Sequence, residues 1–395
     1  MPNRPVQSTV FFLLLAALLF LAACTAAKTP APTAGATELS VYADGIYRGY
    51  YTDGGIEQFC VEFTLANGFF SAVSLKEVNY KDGDYLAGDA TRIQTQVAAQ
   101  YNEAAQSLIG KPVSAVSQLL DPNAVTTDRD AVTSATLRTG KLASAIHDGL
   151  AHGVFRAVET TRLSLPLDAA DGLYRGCSCG SEQIVARFSL TEGIFTQVTI
   201  VPPQGAALEP LCSALADYLT GKPVAALEGL YHPDTLPAEC KGADGEQYGI
   251  VISALMDGFA RGVFEPVETT VFPQLGDYEN GLYRGFYYGD GMEQISIQFE
   301  LVNDVFAQFR IRALRYGDGD YTAEDAAASQ TAVYRQFLEL TDYLEGKDVA
   351  ALYDLFDPSA MVSDADGCSA ATLPSNKLVS ALMDALNRGV YNLED

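Results

Sequence analysis

The sequence Gly-Ile-Tyr-Arg-Gly at Gly45–Gly49 returns as Gly-Leu-Tyr-Arg-Gly at Gly172–Gly176 and again at Gly281–Gly285. The stretch from Gly45 to Phe155 aligns without a gap on the stretch from Gly281 to Tyr391, and 47 of the 111 aligned positions are identical. The middle copy is shorter than the other two. Self-similarity at this level predicts tandem copies of one structural unit.

Each copy begins with the pattern of an antiparallel hairpin. In the first copy, apolar residues alternate with polar or small ones from Phe59 to Leu65, which predicts a strand with one buried face. Asn67-Gly68 follows directly and is typical of a tight turn, and a second strand is predicted from Phe70 to Val78.

Helical spacing follows the strands. Ile93, Val97 and Tyr101 lie on one face of a predicted helix. A short helix is predicted to end at Asp121-Pro122, and a last helix carries Leu142–Leu150. Strands followed by helices are typical of an α+β fold. The sequence therefore predicts three tandem repeats, each a small antiparallel sheet with two to three helices.

The amino terminus has the pattern of an export signal. Arg4 precedes the apolar run Phe11–Ala23, which is too short to span a bilayer. The run ends in Leu-Ala-Ala-Cys at Cys24, which resembles the lipobox of bacterial lipoproteins and implies lipidation of Cys24. A plain secretory signal with an incidental cysteine is the alternative. Thr25–Ser40 is rich in Ala, Thr and Pro, which indicates a flexible tether.

These patterns divide the chain into five segments. They are a signal peptide at 1–23, a tether at 24–40, a first repeat at 41–158, a degenerate second repeat at 171–267 and a third repeat at 278–395. The protein is therefore expected to be extracytoplasmic and held at the cell membrane only through its lipid anchor.

Composition excludes several classes of function. The chain of 395 residues has 25 Lys and Arg against 50 Asp and Glu, a net charge of −25, which argues against a nucleic-acid partner. Its apolar share of 48% is ordinary for a globular protein. The three histidines are not spaced for a metal site or a catalytic triad, so no metal site and no catalytic residues are predicted.

Six cysteines remain after Cys24, and their spacing fits no zinc or iron–sulfur pattern. An even number in an exported chain is compatible with disulfides, and buried thiols are equally compatible with the sequence. The six are Cys60, Cys177, Cys179, Cys212, Cys240 and Cys368.

The second copy lacks two segments that the first and third copies share. One is the tyrosine loop, Tyr80–Tyr85 in the first copy and Tyr316–Tyr321 in the third. The other is the segment before the last helix, Asp130–Thr136 and Asp366–Thr372, where the second copy has Lys241–Gln247. Features kept by all three copies are expected to serve the fold. The joint loss of two separate segments predicts that they form one site, present in copies one and three.

Thr136 and Thr372 stand where the final helix is predicted to begin. The start of a helix presents unpaired N–H groups and a positive dipole end, both of which favour a phosphate group. Small residues at Ser134-Ala135 and Ala370-Ala371 would let a ligand approach the backbone. The alternative is that these threonines serve only as N-caps.

The pattern Asp-x-x-Thr/Ser-x-Ala-Thr-Leu before an amphipathic helix resembles the motif of the FMN-binding domain family. That family includes the C subunit of the sodium-pumping NADH:quinone reductase, the G subunit of the Rnf complex and lipoproteins of extracellular electron transfer. The resemblance implies that a flavin transferase attaches FMN through a phosphoester to Thr136 and Thr372. The other motif positions are Asp130, Asp366, Thr133 and Ser369, and the chain departs from the family at Ser134 and Ala370, where glycine is usual.

The loop tyrosines are candidates for stacking on the flavin ring, because an aromatic face is a natural partner for a flat heterocycle. They are Tyr80, Tyr85, Tyr316 and Tyr321. The Asp-Gly-Asp within each loop is also compatible with a simple turn.

Taken together, the sequence predicts a membrane-anchored electron-transfer lipoprotein that holds up to two FMN groups. Its expected partners are the flavin transferase, a membrane redox donor and a basic or cationic electron acceptor. The motif contains no general base and no substrate pocket of its own, which favours an electron carrier over a self-contained enzyme. The alternative is a cofactor-free binding or scaffold lipoprotein built from the same domains.

Overall fold

Three separate four-stranded antiparallel sheets, with helices following the strands, make up the part of the chain that the computed structural model describes. The described residues are 42–126, 138–178, 183–203, 205–317, 319–362 and 374–392. The predicted α+β class with antiparallel sheets is thereby confirmed.

The first module, residues 45–156, has the sheet order β1-β2-β3-β4. The second module, 172–266, has the order β7-β6-β5-β8, and the third, 281–392, has β12-β11-β10-β9. The strands are β1 (Gly45–Asp53), β2 (Ile56–Ala66), β3 (Phe69–Tyr80), β4 (Gly83–Asp84), β5 (Gly172–Cys177), β6 (Val185–Thr191), β7 (Ile194–Val201), β8 (Val263–Pro266), β9 (Gly281–Gly289), β10 (Met292–Val302), β11 (Val305–Tyr316) and β12 (Gly319–Asp320).

Each module has two long helices after its first three strands and its own apolar core, and in the second module β8 follows the last helix. The long helices are α1 (Arg92–Gln106), α2 (Gly140–His152), α3 (Glu209–Leu219), α4 (Gly245–Arg261), α5 (Ala328–Leu344) and α6 (Ser375–Arg388). Single helical turns and 3-10 segments lie at Val113–Leu120, Pro122–Val125, Val224–Leu227, Glu228–Tyr231, Pro233–Thr235, Ala238–Cys240, Val349–Phe356 and Pro358–Ala360.

The hairpin predicted at Asn67-Gly68 is present. Both residues have positive φ, 52° and 78°, which is the backbone of the tight turns that suit the twist of two antiparallel strands. One detail of the helix prediction was wrong. Ile93 is 75% exposed, because α1 packs through later residues such as Tyr101. The short helix predicted to end at Asp121-Pro122 is the 3-10 segment Val113–Leu120, which has Asp121 as its C-cap, and Pro122 begins the next turn.

The tyrosine of each Gly-x-Tyr-Arg-Gly stretch serves the fold. Its hydroxyl donates to the carbonyl oxygen four residues earlier, at 2.6–2.7 Å, and its ring stacks on a phenylalanine of the neighbouring strand. These tyrosines are Tyr47, Tyr174 and Tyr283.

The glycine that closes each stretch lets the last helix lie directly on the first strand. A Cβ placed on Gly49 would stand 1.8 Å from the carbonyl oxygen of Ala145, within α2. Gly176 and Gly285 face α4 and α6 at the same close range. Only a residue without a side chain permits this approach.

The last helices α2, α4 and α6 pack against one another, and each carries a buried aspartate that binds its own first strand. The backbone N–H of Tyr50 donates to Asp148 at 2.7 Å. The equivalent bonds run from Cys177 to Asp257 at 2.8 Å and from Phe286 to Asp384 at 2.9 Å.

Four residues after each aspartate, a basic side chain reaches the aspartate of the next module. Arg261 pairs with Asp384 at 2.7 Å. Arg388 pairs with Asp148, also at 2.7 Å, and thereby links the third module back to the first. His152 completes the series with Asp257 at 3.0 Å. We call this closed set of six side chains, all at most 7% exposed, the charge ring.

The charge ring has a histidine, His152, at the position that Arg261 and Arg388 hold in the other two modules. Burial alone would lower the pKa of this imidazole, but Asp148 and Asp257 raise it above its ordinary value. Burial would likewise raise the pKa of Asp257, but Arg261 and His152 hold it far below its usual range. Arg388 faces His152 and opposes its protonation. The Nδ1 atom of His152 has no hydrogen-bond partner among the described residues.

Replacing Gly49 by alanine is expected to lower the free energy of unfolding by about 3 kcal/mol or more, because the added Cβ forces α2 away from β1. Gly88→Ala is the matched control, since no atom lies within 4 Å of its added Cβ and the expected change is at most about 0.5 kcal/mol. Urea unfolding of both variants measures the difference. Equal stability of the two variants would contradict the close packing.

The raised pKa of His152 predicts a pH-dependent stability. The folded state holds this proton more tightly than the unfolded chain, so the stabilisation is complete below about pH 6.5 and is lost as the pH rises through the raised pKa. His152→Arg places a permanent charge at the third corner, as in Arg261 and Arg388. The thermal stability of the variant, measured by thermal unfolding, should therefore no longer fall as the pH rises through that range. A pH profile unchanged from that of the natural chain would refute the assignment.

Candidate functional site

Most of the sequence-predicted site residues lie outside the described part of the chain. They are Cys24, Asp130, Thr133, Ser134, Ala135, Thr136, Asp366, Ser369, Ala370, Ala371 and Thr372. The residues on either side of the two motif segments are described, as are the four loop tyrosines.

In the first module, the tyrosine loop lies against the residues that follow the motif segment. The hydroxyl of Tyr80, at the start of the loop, is 3.0 Å from the hydroxyl of Tyr101. The backbone N–H of Arg138 donates to that Tyr101 hydroxyl at 3.2 Å. The Nζ atom of Lys141, in the first turn of α2, is 5.0 Å from the centre of the Tyr80 ring. The two segments missing from the second copy therefore have neighbouring flanks.

The third module repeats this arrangement. The Nζ atom of Lys377, in the first turn of α6, lies 4.8 Å from the centre of the Tyr316 ring and 5.6 Å from that of Tyr287. Lys141 faces Tyr51 in the same way, at 5.8 Å. An ammonium over aromatic faces is a favourable electrostatic contact.

A glutamine completes each lysine environment. Lys141 donates to the side-chain oxygen of Gln58 at 2.5 Å, and Lys377 donates to that of Gln294 at 2.8 Å. Burial lowers the pKa of Lys141 to about 8 and lowers the pKa of Lys377 below its ordinary value. Each lysine is thus a partly desolvated cation held in place by one amide oxygen.

The second module lacks the lysine and the tyrosine, although it keeps the glutamine as Gln183. Ile250 stands seven residues before Asp257, the place that Lys141 holds before Asp148. Ser178 follows the strand residue that binds Asp257, where Tyr51 stands in the first module. The second copy therefore lacks not only the motif and the loop but also the lysine and the tyrosine that lie beside them in the other two modules.

The outer tyrosines of the loops lie beside the inner ones. The ring centres of Tyr80 and Tyr85 are 4.9 Å apart, and those of Tyr316 and Tyr321 are 5.1 Å apart. Burial and the hydrogen bond to Asp82 raise the pKa of Tyr85 to about 12. All four rings are partly exposed, so each loop presents an accessible aromatic pair. Stacking on a flavin stays a prediction.

The arginine of each Gly-x-Tyr-Arg-Gly stretch lies on the first strand, and its partner on the second strand differs between modules. Arg48 is opposite Glu62, Arg175 is opposite Arg187, and Arg284 is opposite Gln298. Features that all three copies keep are expected to serve the fold. These arginines also give different charges to the junctions between modules.

At the junction between the first and second modules, the arginine is neutralised. Arg48 donates to Glu62 at 2.7 Å and to Glu246, in the first turn of α4, at 2.9 Å. Both carboxylates raise the pKa of Arg48 against the opposing effect of burial. This junction has no free positive charge to offer from Arg48.

At the junction between the second and third modules, a cleft of about 720 Å³ opens beside the start of α6. Arg175 and Arg187 enter it from the second module, and Lys377 enters it from the third. Among the described residues, neither arginine has a carboxylate within ion-pair distance. Arg175 instead lies over the rings of Phe264 and Tyr287, at 5.9 and 4.9 Å.

Sequence reasoning missed the lysines, glutamines and arginines of these environments. Lys141 and Lys377 carried a usable signal, because they are identical in the first and third copies and absent from the second. The arginines carried none, since all three copies keep them.

Other chemistry is limited within the described ranges. No group of His, Cys, Asp and Glu there has the arrangement of a metal site. Four cysteines in those ranges are buried, namely Cys60, Cys177, Cys212 and Cys240. None of the helices within those ranges is long and apolar enough to cross a membrane.

Comparison with known proteins found no matching family model, no matching curated protein and no matching solved structure. The residues and their geometry therefore carry the functional argument.

The lowered pKa of Lys141 gives a measurable signature. Between about pH 8 and 10.5 the folded state binds fewer protons than the unfolded chain, so Lys141 makes stability rise with pH over that range. Lys141→Met should remove this rise in urea unfolding followed across the range. Lys81→Met, in an exposed loop position, should keep it. An unchanged rise in Lys141→Met would show that the amine is not desolvated.

Proposed function

We propose that this protein is a membrane-anchored, extracytoplasmic electron-transfer lipoprotein that carries FMN in its first and third modules. FMN is joined by phosphoester bonds to Thr136 and Thr372, and Cys24 carries the lipid. The three modules are tandem repeats of one ancestral unit, and the second has lost its cofactor.

One observation carries this proposal. The two modules that keep the threonine motif also keep a desolvated lysine and a tyrosine pair beside the motif's flank. The module that lacks the motif has Ile250 in place of the lysine. A purely structural motif would give no reason for the lysine and the tyrosines to disappear with it.

The residues present fit a flavin nucleotide. A phosphate group suits the start of α6, where Lys377, Arg175 and Arg187 supply positive charge. At α2, Lys141 supplies positive charge beside the pair Tyr80 and Tyr85. These groups would bind and orient the nucleotide, while the bound flavin would supply the redox chemistry.

The proposed partners follow from this role. A flavin transferase loads the protein, a membrane redox donor reduces it, and a basic or cationic acceptor takes up the electrons. The net charge of −25 favours docking of such an acceptor, with an association rate that falls as salt is added. Nucleic acid is not among the expected partners.

Flavin content tests the proposal directly. The mature protein purified from cells that contain the transferase should absorb as a flavoprotein, and peptides that hold Thr136 and Thr372 should each gain the mass of one FMN phosphoester. Thr136→Val should remove one flavin, Thr372→Val the other, and the double variant both.

The matched control is a threonine in a helical cap outside the motif, Thr91→Val, which should keep both flavins. Unmodified peptides from fully loaded cells would exclude covalent attachment. A colourless protein that also binds no added FMN would favour the cofactor-free scaffold lipoprotein instead.

A further inference from the structure

We propose that the second module, which keeps no attachment motif, binds the phosphate of the flavin nucleotide of the third module through Arg175 and Arg187. This inference rests on the proposed function and assigns the cleft between the second and third modules to that cofactor. The second module then contributes to binding of the cofactor, although it attaches none itself.

The burial of Arg175 is the first argument. Arg175 is only 8% exposed, yet its side chain lines the cleft. It forms no ion pair with a carboxylate among the described residues. A buried cation without a counter-ion is costly, and the cost falls when an anion enters. Arg187, directly opposite on β6, adds a second positive charge instead of compensating the first.

The third module brings matching groups to the same cleft. Ser375 and Lys377, in the first turn of the 14-residue helix α6, line it. Lys377 donates to Gln294, which leaves its remaining N–H groups available to a phosphate oxygen. Three cationic side chains from two modules thus converge on one cavity.

Three carboxylates also line the cleft, and Asp290 attracts both Arg175 and Lys377 without forming an ion pair with either within the described residues. Asp290 accepts a hydrogen bond from Gln294 at 2.7 Å, and Asp357 accepts one from the Ser359 hydroxyl at 2.6 Å. Glu265 is exposed to solvent. None of the three forms an ion pair with Arg175 or Arg187 within the described residues.

The junction between the first and second modules provides an internal comparison. There the equivalent arginine, Arg48, is held by Glu62 and Glu246. Glu246 belongs to the module without the motif, and it fills the place that an anion would take. Arg175 thus has no ion-pair partner among the described residues at the junction next to the third module's motif. Arg48 has two at the junction next to the second module, where the motif is missing.

The test compares ligand binding to the whole mature chain produced without the transferase. Calorimetric titration with FMN, riboflavin and inorganic phosphate separates recognition of the phosphate from recognition of the ring. Arg187→Gln should weaken FMN binding about tenfold, and Arg175→Gln with Arg187→Gln about a hundredfold, while riboflavin binding stays unchanged. The double variant of two exposed arginines, Arg162→Gln with Arg310→Gln, is the charge-matched control and should bind as the natural chain does.

The outcomes separate this inference from the proposed function. FMN affinity unchanged in Arg187→Gln and in the double variant, or lost equally for riboflavin, would overturn the phosphate site. The same holds if the natural chain binds no FMN. Because Arg187 is exposed, its single variant tests the site even if the double variant fails to fold. A different result separates the two proposals. If Thr372 peptides from cells that contain the transferase carry no FMN mass while arginine-dependent FMN binding persists, covalent attachment is refuted and the cleft assignment stands.

Discussion

The charge ring at the meeting point of the three last helices is the interaction on which the other features depend. Each aspartate binds the first strand of its own module and a basic side chain of the preceding one. Buried charges are tolerated only when they are fully paired, so the loss of one member leaves its partner uncompensated in the interior. The ring therefore fixes how each last helix sits on its own sheet and beside its neighbours.

Because the ring repeats the same contacts at each corner, the three junctions share one geometry and differ only in the side chains placed there. Arg48, Arg175 and Arg284 occupy equivalent strand positions, yet their opposite partners are an acid, a second arginine and an amide. A common frame thus holds one junction where the arginine is ion-paired and one where two arginines lie side by side without an ion-pair partner among the described residues. The modules differ in a few side chains at the junctions, while the frame is shared.

The sequence predicted local structure well, because alternation and turn residues act over a few positions. Asn67-Gly68 forms its turn, and the segment Leu142–Leu150 lies in α2 as expected. The exception is Ile93, which is exposed because α1 packs through later residues such as Tyr101.

The charged contacts at the junctions were not predictable, since Arg48 and Glu246 lie 198 positions apart and the residues of the cleft come from distant copies. Arg175 and Lys377 line the same cleft. The arginine is kept in all three copies, which predicted a structural role, and neither residue belongs to the recognised motif. The interaction of Lys141 with Gln58 was hidden for a similar reason, because the sequence shows the spacing of residues within an element and not which elements touch. Burial, not residue type, distinguishes these lysines from ordinary surface lysines.

The closure of the charge ring limits how far such a chain could grow. Each module offers one basic donor and one acidic acceptor, and Arg388 uses the last acceptor when it reaches Asp148. Head-to-tail contacts that close in this way form a ring, whereas contacts that fail to close extend without limit. A fourth unit appended to the carboxyl end would find both complementary faces already occupied. Further duplication would have to begin a second ring and could not lengthen the first.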